Sequence, residues 1–265
     1  DFSIDYVKRF NNDFDMSFKG TFTYAHNKVL EYDEPDFQKY PNISRVGHSV
    51  DQQLLYIAER LFIDDSEVQR NPKQNLGGWV SGGDIKYKNL PDVNGNYDNV
   101  IDSNDRQYTG MPTTPEIVYG FGPSFRYKKF DFSFFFQGAA RVSIMMNGIH
   151  PFGAEGTRNV LQFIADDYWS ETNQNIYAEY PRLSKRDNEN NTKASTYWQR
   201  NGAFLKLKNL EVGFNHKFFR VYLRGSNLLT FSPFKYWDPE MGSGSGLSYP
   251  TQRVFNVGVQ FSINK

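Results

Sequence analysis

The densest chemistry in the 265-residue chain lies in the acidic run DVNGNYDNVIDSNDR, residues 92–106. Asp92, Asn94, Asp98 and Asp102 offer side-chain oxygens at close spacing, and calcium takes about six to eight oxygen ligands, so this loop is the candidate metal site, with Ca2+ as the ion it would suit. It departs from the helix–loop–helix calcium pattern, because Tyr97 stands where the sixth-position glycine belongs and Ser103 where the closing glutamate belongs. The competing reading is a chain of turns in which each Asp or Asn bonds its own backbone. Covalent chemistry finds less support. The chain has no cysteine, its histidines (His26, His48, His150, His216) are far apart, and no G-x-S-x-G elbow occurs. The carboxylate pairs Asp64–Asp65 and Asp166–Asp167 are sequence neighbours rather than residues spaced to converge on one substrate. The chain is therefore expected not to be an enzyme. Aromatic residues in the long polar stretches are the candidates for ligand contact: Trp169, Tyr197, Trp198 and Trp237 above all, with Trp79 and Tyr249 beside them. Such rings stack on sugar faces or line a peptide path, although packing a loop is their commoner work.

The elements that must position these residues are strands. Apolar and polar residues alternate over long segments: Phe2, Ile4 and Tyr6 on one face of 1–9; Phe14, Met16, Phe18, Phe22 and Tyr24 in 13–27; Ile117, Tyr119, Phe121, Phe125 and Tyr127 in 116–129. The pattern continues in 130–144, where Phe135 is the one large ring on the polar side. It recurs in 203–215, 218–230 and 253–263, the last ending on Phe261 and Ile263. In 203–215 the phase changes near Lys208 and Asn209, which predicts a bulge. Tyr6, Tyr24, Tyr127 and Tyr222 fall near strand ends, where a membrane interface would hold them. The polar set Lys19, Arg126, Gln137, Arg141 and Arg224 lies on the other face. Segments of this length exceed the usual globular strand of about 5–6 residues and match the tilted span of a bilayer, about 9–11 residues.

The connections alternate as well. Residues 10–13, 128–131 and 215–218 read as tight turns, whereas 28–115, 145–202 and 231–250 are long excursions, as in outer-membrane barrels with short periplasmic turns and long extracellular loops. Within the excursions, 53–63 and 83–88 suggest a hairpin, 155–170 has helical spacing, and 186–193 reads as a plain polar loop. Taking the tight turns as periplasmic gives seven spanning strands with Lys265 in the periplasm. Seven is odd, and a barrel must close, so the chain is expected to be a piece of a longer protein whose other strands precede Asp1. Charge agrees with this picture: 30 basic against 30 acidic residues give no electrostatic reason to expect nucleic acid. A mean hydropathy of −0.66 with 17% aromatic residues leaves no apolar helix able to cross a membrane. It leaves strand-built membrane proteins open. Two other classes remain: a passive porin, and a soluble extracellular carbohydrate-binding β-domain with the rings inside a sandwich.

Several segments carry a family resemblance: GTFTYAHNKVLEYDEP at 20–35, GDIKYKNL at 83–90, VIDSNDR at 100–106, PEIVYGFGPSFRYKKFDFSFFFQG at 115–138, YWQRNGAFLKLKNLEVGF at 197–214, VYLRGSNLLTFSPFKYWDPE at 221–240 and YPTQRVF at 249–255. The chain resembles the C-terminal part of a SusC-like TonB-dependent outer-membrane transporter of Bacteroidetes. That resemblance implies an all-β, antiparallel transmembrane barrel of 22 strands, of which residues 1–265 would be the last seven, with a plug domain upstream. It implies import of oligosaccharides or peptides through the outer membrane, energy from TonB acting on the N-terminal part, a SusD-like surface lipoprotein as lid, and outer-membrane lipid around the strands. It also allows two such pairs to assemble as a dimer. The chain departs from the family in two places: about two extra residues interrupt the acidic loop, and the last strand ends in Ser262, Ile263, Asn264 and Lys265 rather than on an aromatic.

Overall fold

The structure is a computed structural model and describes residues 1–146, 160–185 and 188–262. The chain divides into two compact units. The first comprises 1–26, 112–144 and 201–265; the second comprises 27–111 and 145–200.

The first unit is one seven-stranded antiparallel sheet in sequential order: β1 (Phe2–Arg9), β2 (Phe14–Tyr24), β3 (Ile117–Tyr127), β4 (Phe130–Ala140), β5 (Phe204–Asn215), β6 (Phe219–Phe231) and β7 (Val254–Phe261). The central five run to 11–13 residues, the length read from the alternation. All three expected tight turns form. Asn11 closes the first, its side-chain oxygen accepting from the amides of Asp13 and Phe14. Lys128 takes φ +54° in the two-residue turn between β3 and β4, the left-handed geometry that such hairpins require.

Register turns the alternation into two surfaces. One row runs Phe14, Tyr127, Phe130, Phe214, Val221, Val259 across β2 to β7; the next runs Met16, Phe125, Phe132, Val212, Leu223, Val257. The opposite face carries Asp15, Arg126, Asp131, Gly213, Tyr222 and Gly258 in one row. The register slips at Lys208, where the phase change placed it: the adjacent Phe135 and Phe136 pair with Asn209 and Leu207, and on the other side Leu207 and Asn209 pair with Leu229 and Ser226. Phe135, the exception on the polar side, lies over Gly120, where a Cβ would come within 2.8 Å of the ring. Its bulk is accommodated because the neighbouring strand offers glycine there. Tyr222 is a correction. It stands on the polar face, with the guanidinium groups of Arg220 and Arg224 4.9 and 5.7 Å from its ring centre, and not at an apolar interface position.

The second unit is built from short pieces. Gln53–Tyr56 pairs with Arg106–Thr109, and Ala58–Leu61 pairs with Ile85–Tyr87, so the expected 53–63/83–88 hairpin holds only for its second half. Its core gathers Leu55, Leu61, Phe62, Ile85, Tyr87 and Ile101, all nearly inaccessible. Among the described residues of the helix expected over 155–170, Gln162–Asp166 are helical. Leu161 at its start has no capping side chain, and Asp166 and Asp167 oppose the dipole at its end. His150, residues 155–159 of that helix, Ile263 and Lys265 lie outside the described residues.

Candidate functional site

In the acidic loop, the carboxylates of Asp92, Asp98 and Asp102 are turned onto neighbouring backbone amides. Asp92 Oδ1 accepts from the amides of Asn94 and Asn96, both at 2.9 Å; Asp98 Oδ1 accepts from Val100 at 3.0 Å, and Asp102 Oδ1 from Asn104 at 2.8 Å. The Asn96 amide leads the groups that hold the Asp92 carboxyl below its ordinary value. Asn94 enters through its backbone N–H. Asp105, which the sequence reading passed over, is 2% exposed and takes the amides of Leu90 and Asp102 on its two oxygens. Burial pushes its carboxyl up. Among the described residues, no three His, Asp or Glu side chains gather as a cation cage.

The four aromatic candidates fall into different places. Trp198 is 1% exposed; its indole N–H donates to Asn191 O at 2.7 Å. Tyr197 stands edge-on to it at 5.0 Å and donates its hydroxyl to Ala178 O, burial pushing that hydroxyl's pKa up. Trp237 belongs to the sheet unit, edge-on to Phe234 at 4.6 Å with its N–H on Gly242 O. Trp169 is buried, its ring packed on Gly83, where a Cβ would overlap it. Trp169 also lines an open cleft of about 510 Å³ together with Asp64, Asp65, Trp79, Glu171 and Arg182. Trp79 is 62% exposed, and the Arg182 guanidinium stands 4.5 Å from its ring centre.

Behind that cleft lies a polar node that sequence reasoning missed. Asp84 is fully buried. It accepts from Ser81 N (2.8 Å), Arg182 Nη2 (3.0 Å), Asn188 Nδ2 (2.9 Å) and Asn191 Nδ2 (2.9 Å), with Arg182 Nε a further 2.8 Å contact. Asn190, fully buried, accepts from Gln74 Nε2 and donates to Ile85 O, and Tyr87 donates its hydroxyl to Asn190 O. The stretch read as a plain polar loop thus carries the short helix Glu189–Thr192 and ties the 83–90 segment down. Three Asn in four residues were the visible signal. Their burial was not, because only the fold brings Asp84 about a hundred residues along the chain to meet them.

On the polar face of the sheet the charges pair laterally. Arg220 bridges Asp131 (2.5 Å) and Glu211 (2.6 Å), Arg224 takes the other oxygen of Glu211 (2.5 Å), and Arg126 pairs with Asp15. Arg141 and His26 share the buried Glu116. Lys206, 1% exposed, reaches Asp238 (2.5 Å) and Glu240 (2.6 Å), and Lys208 also holds Glu240 (3.0 Å), so the WDPE segment is strapped to β5.

No protein-family model matches the chain. It is 27% identical over 288 residues to TonB-dependent receptor P3 of Formosa agariphila, covering 98% of this chain and 28% of that protein. It is 28% identical over 269 residues to TonB-dependent receptor P26 of the same organism, covering 88% and 26%. Over nearly its whole length the chain is thus similar to TonB-dependent receptors. The fold agrees: the RagAB peptide transporter superposes with a TM-score of 0.66 at 18% identity, over 98% of this chain and 28% of that one. The RagAB peptide importer in its closed-closed state gives 0.62 at 19% identity. The chain thus spans just over a quarter of the length of the relatives it matches. The sheet is of the outer-membrane barrel type, Phe-rich on one exposed face and ion-paired on the other. The soluble-sandwich reading is set aside. The rings it would place in a core lie on one exposed face, Phe2, Phe255 and Phe261 at 63, 69 and 75%.

Proposed function

We propose that residues 1–265 form the last seven strands of a 22-stranded SusC-type barrel that imports oligosaccharides or peptides across the outer membrane, with energy from TonB acting on a part of the protein outside this chain. A SusD-like surface lipoprotein would cover the extracellular end, and two such pairs would assemble as a dimer. The observation that carries the reading is the two-faced sheet: seven antiparallel strands whose rows are apolar on one face and ion-paired on the other, joined alternately by tight turns and long structured excursions. RagAB, a peptide importer of the same fold, supports nutrient import as the purpose of such a sheet. The chemistry is non-covalent, with hydrogen bonds and ring contacts from the excursions choosing the cargo. Trp169, Tyr197, Trp198 and Trp237 serve chiefly as anchors that hold those excursions in shape. If the acidic loop takes Ca2+ on Asp92, Asn94, Asp98 and Asp102, their turns must open to do so.

The test is uptake of labelled oligosaccharides and peptides by cells carrying the full-length receptor, with and without TonB. Energy-dependent uptake that disappears with the receptor is expected. Uptake that persists without TonB identifies a passive pore and overturns the proposal.

A further inference from the structure

The three tight turns bring the same pairing of groups to one end of the sheet. Lys8 stands over the ring of Phe10, Lys128 over Tyr127 and Lys217 over Phe218, each ammonium 5.0, 5.4 and 5.3 Å from its ring centre. All three rings are exposed. Tyr127 lies in the apolar row of Phe14, Phe130 and Phe214, and Lys8 lies opposite Met16 in the next, so these ammoniums stand where the apolar face stops. The cations there are also unmatched. Arg126 and Arg220, on the polar face, each hold a carboxylate, whereas among the described residues the ammoniums of Lys8, Lys128, Lys129 and Lys217 form no salt bridge. Arg9 donates to Asn11 O and Asn12 Oδ1. Of the carboxylates at this end Asp15 is taken by Arg126 and Asp131 by Arg220, which leaves Asp13 against Lys8, Arg9, Lys128, Lys129 and Lys217.

An ammonium held over a ring at the border of an apolar surface occupies the level at which a bilayer passes from acyl chains to phosphates, its stem covering hydrocarbon and its charge turned to the head groups. Surplus positive charge at that level rewards a lipid whose phosphate is not balanced by a head-group amine. From the repeated lysine and ring pairs, the unmatched charge and the apolar rows that run up to them, we infer that the tight-turn end of the sheet binds anionic phospholipid, with phosphates toward Lys8, Lys128 and Lys217 and acyl chains along Phe14, Tyr127 and Phe130. A soluble anion meets the charge and leaves the rings bare; a zwitterionic lipid covers the rings and leaves the charge unmatched. The inference rests on the barrel reading and names its lipid partner.

The test is native mass spectrometry of the full-length receptor in detergent, titrated with phosphatidylglycerol, phosphatidylcholine or glycerol phosphate. Phosphatidylglycerol is expected to be retained about tenfold more tightly than phosphatidylcholine, and glycerol phosphate is expected not to be retained. The double variant Lys128→Asn/Lys217→Gln should lose about tenfold in phosphatidylglycerol affinity and nothing in phosphatidylcholine affinity. Asn suits the left-handed backbone of residue 128, at φ +54°, and a heat-modifiable band equal to the parent's confirms folding. Lys8→Gln, which alters no turn, should lose roughly fivefold in the same direction. Equal retention of the two lipids, phosphatidylglycerol affinity unchanged in both variants, or glycerol phosphate held as tightly as the lipid each overturns the inference. Any of these in a receptor with the parent's heat-modifiable band sinks the lipid rim alone. A full-length protein that stays in solution without detergent and shows no such band sinks the barrel reading.

Discussion

Replacing Asp84 by alanine tests whether the buried node holds the second unit together. The change leaves the Arg182 guanidinium, 15% exposed, facing a cavity, and strips the acceptor from Ser81 N, Asn188 Nδ2 and Asn191 Nδ2. Each orphaned buried donor costs about 1–3 kcal/mol, but the local structure relaxes, and removing one partner of a buried ion pair is typically worth about 3–5 kcal/mol in total. A local loss of about 4 kcal/mol follows. The assay is native-state hydrogen exchange of the full-length receptor, read at Ile85, whose amide donates to Asn191 Oδ1, and at Asn191, whose amide donates to Asn188. Opening easier by about 4 kcal/mol accelerates exchange there by roughly a thousandfold. Amides within the sheet, such as Phe132 and Leu223, should keep their rates, because the residues of the node belong to the other unit. Adding Arg182→Met should recover part of the loss, since the unpaired charge is then gone. Acceleration below tenfold at Ile85 and Asn191, or equal acceleration in the sheet, refutes the reasoning.

Three further outcomes are expected. Gly122→Ala places a Cβ on the Phe134 carbonyl, a backbone atom that cannot turn aside, so β3 and β4 should fail to pair and the folded, heat-modifiable band on unboiled gels should fall sharply. Burial alone would raise the Glu67 carboxyl, but the Arg60 guanidinium, the Ile63 amide and the Lys86 ammonium hold it at about 2. A depressed folded-state pKa contributes stability that is complete above the ordinary value of 4.5 and drains as pH falls toward 2, so proteolysis of 57–90 by an acid protease should quicken across that window, and Glu67→Gln should flatten the dependence. Lys206→Met leaves Asp238 facing Glu240 with only Lys208 between the strap and β5; nicking within 242–246 should accelerate several-fold while the sheet stays folded.

The sheet was legible because a strand exposed to different solvents on its two faces writes its structure as a period of two. Lipid on one side makes Phe14, Phe132 and Val257 apolar; the polar side makes Asp15, Asp131 and Asn256 hydrophilic; and each tight turn shows as a short break in the pattern. Even the bulge appeared, as a slip of phase between Leu207 and Leu210. Tyr222 was misread because the same residue type serves both faces: only its register with Gly213 and Gly258 shows that it lies between two arginines. The second unit obeys no period. Its contacts join residues far apart along the chain, as in Leu61 with Ile85, Tyr56 with Arg106 and Asp84 with Asn191, and its buried groups include Asn, Gln and Asp that look solvent-facing in sequence.

That difference has a functional consequence. A core held by apolar rings tolerates many substitutions of similar volume, whereas one held by Asp84, Gln74, Asn190 and Asn191 accepts few, because every donor and acceptor must be met. Such a node fixes backbone positions tightly while spending little apolar surface. The rings it frees can then stand at the rim, as Trp79 does at 62% exposure. Excursions built this way present a rigid, exposed contact surface over only a small apolar core, Leu55, Leu61, Phe62, Ile85, Tyr87 and Ile101; if that surface selects a cargo, changes in preference should arise at rim residues such as Trp79 and Glu171 while the node behind them is left alone.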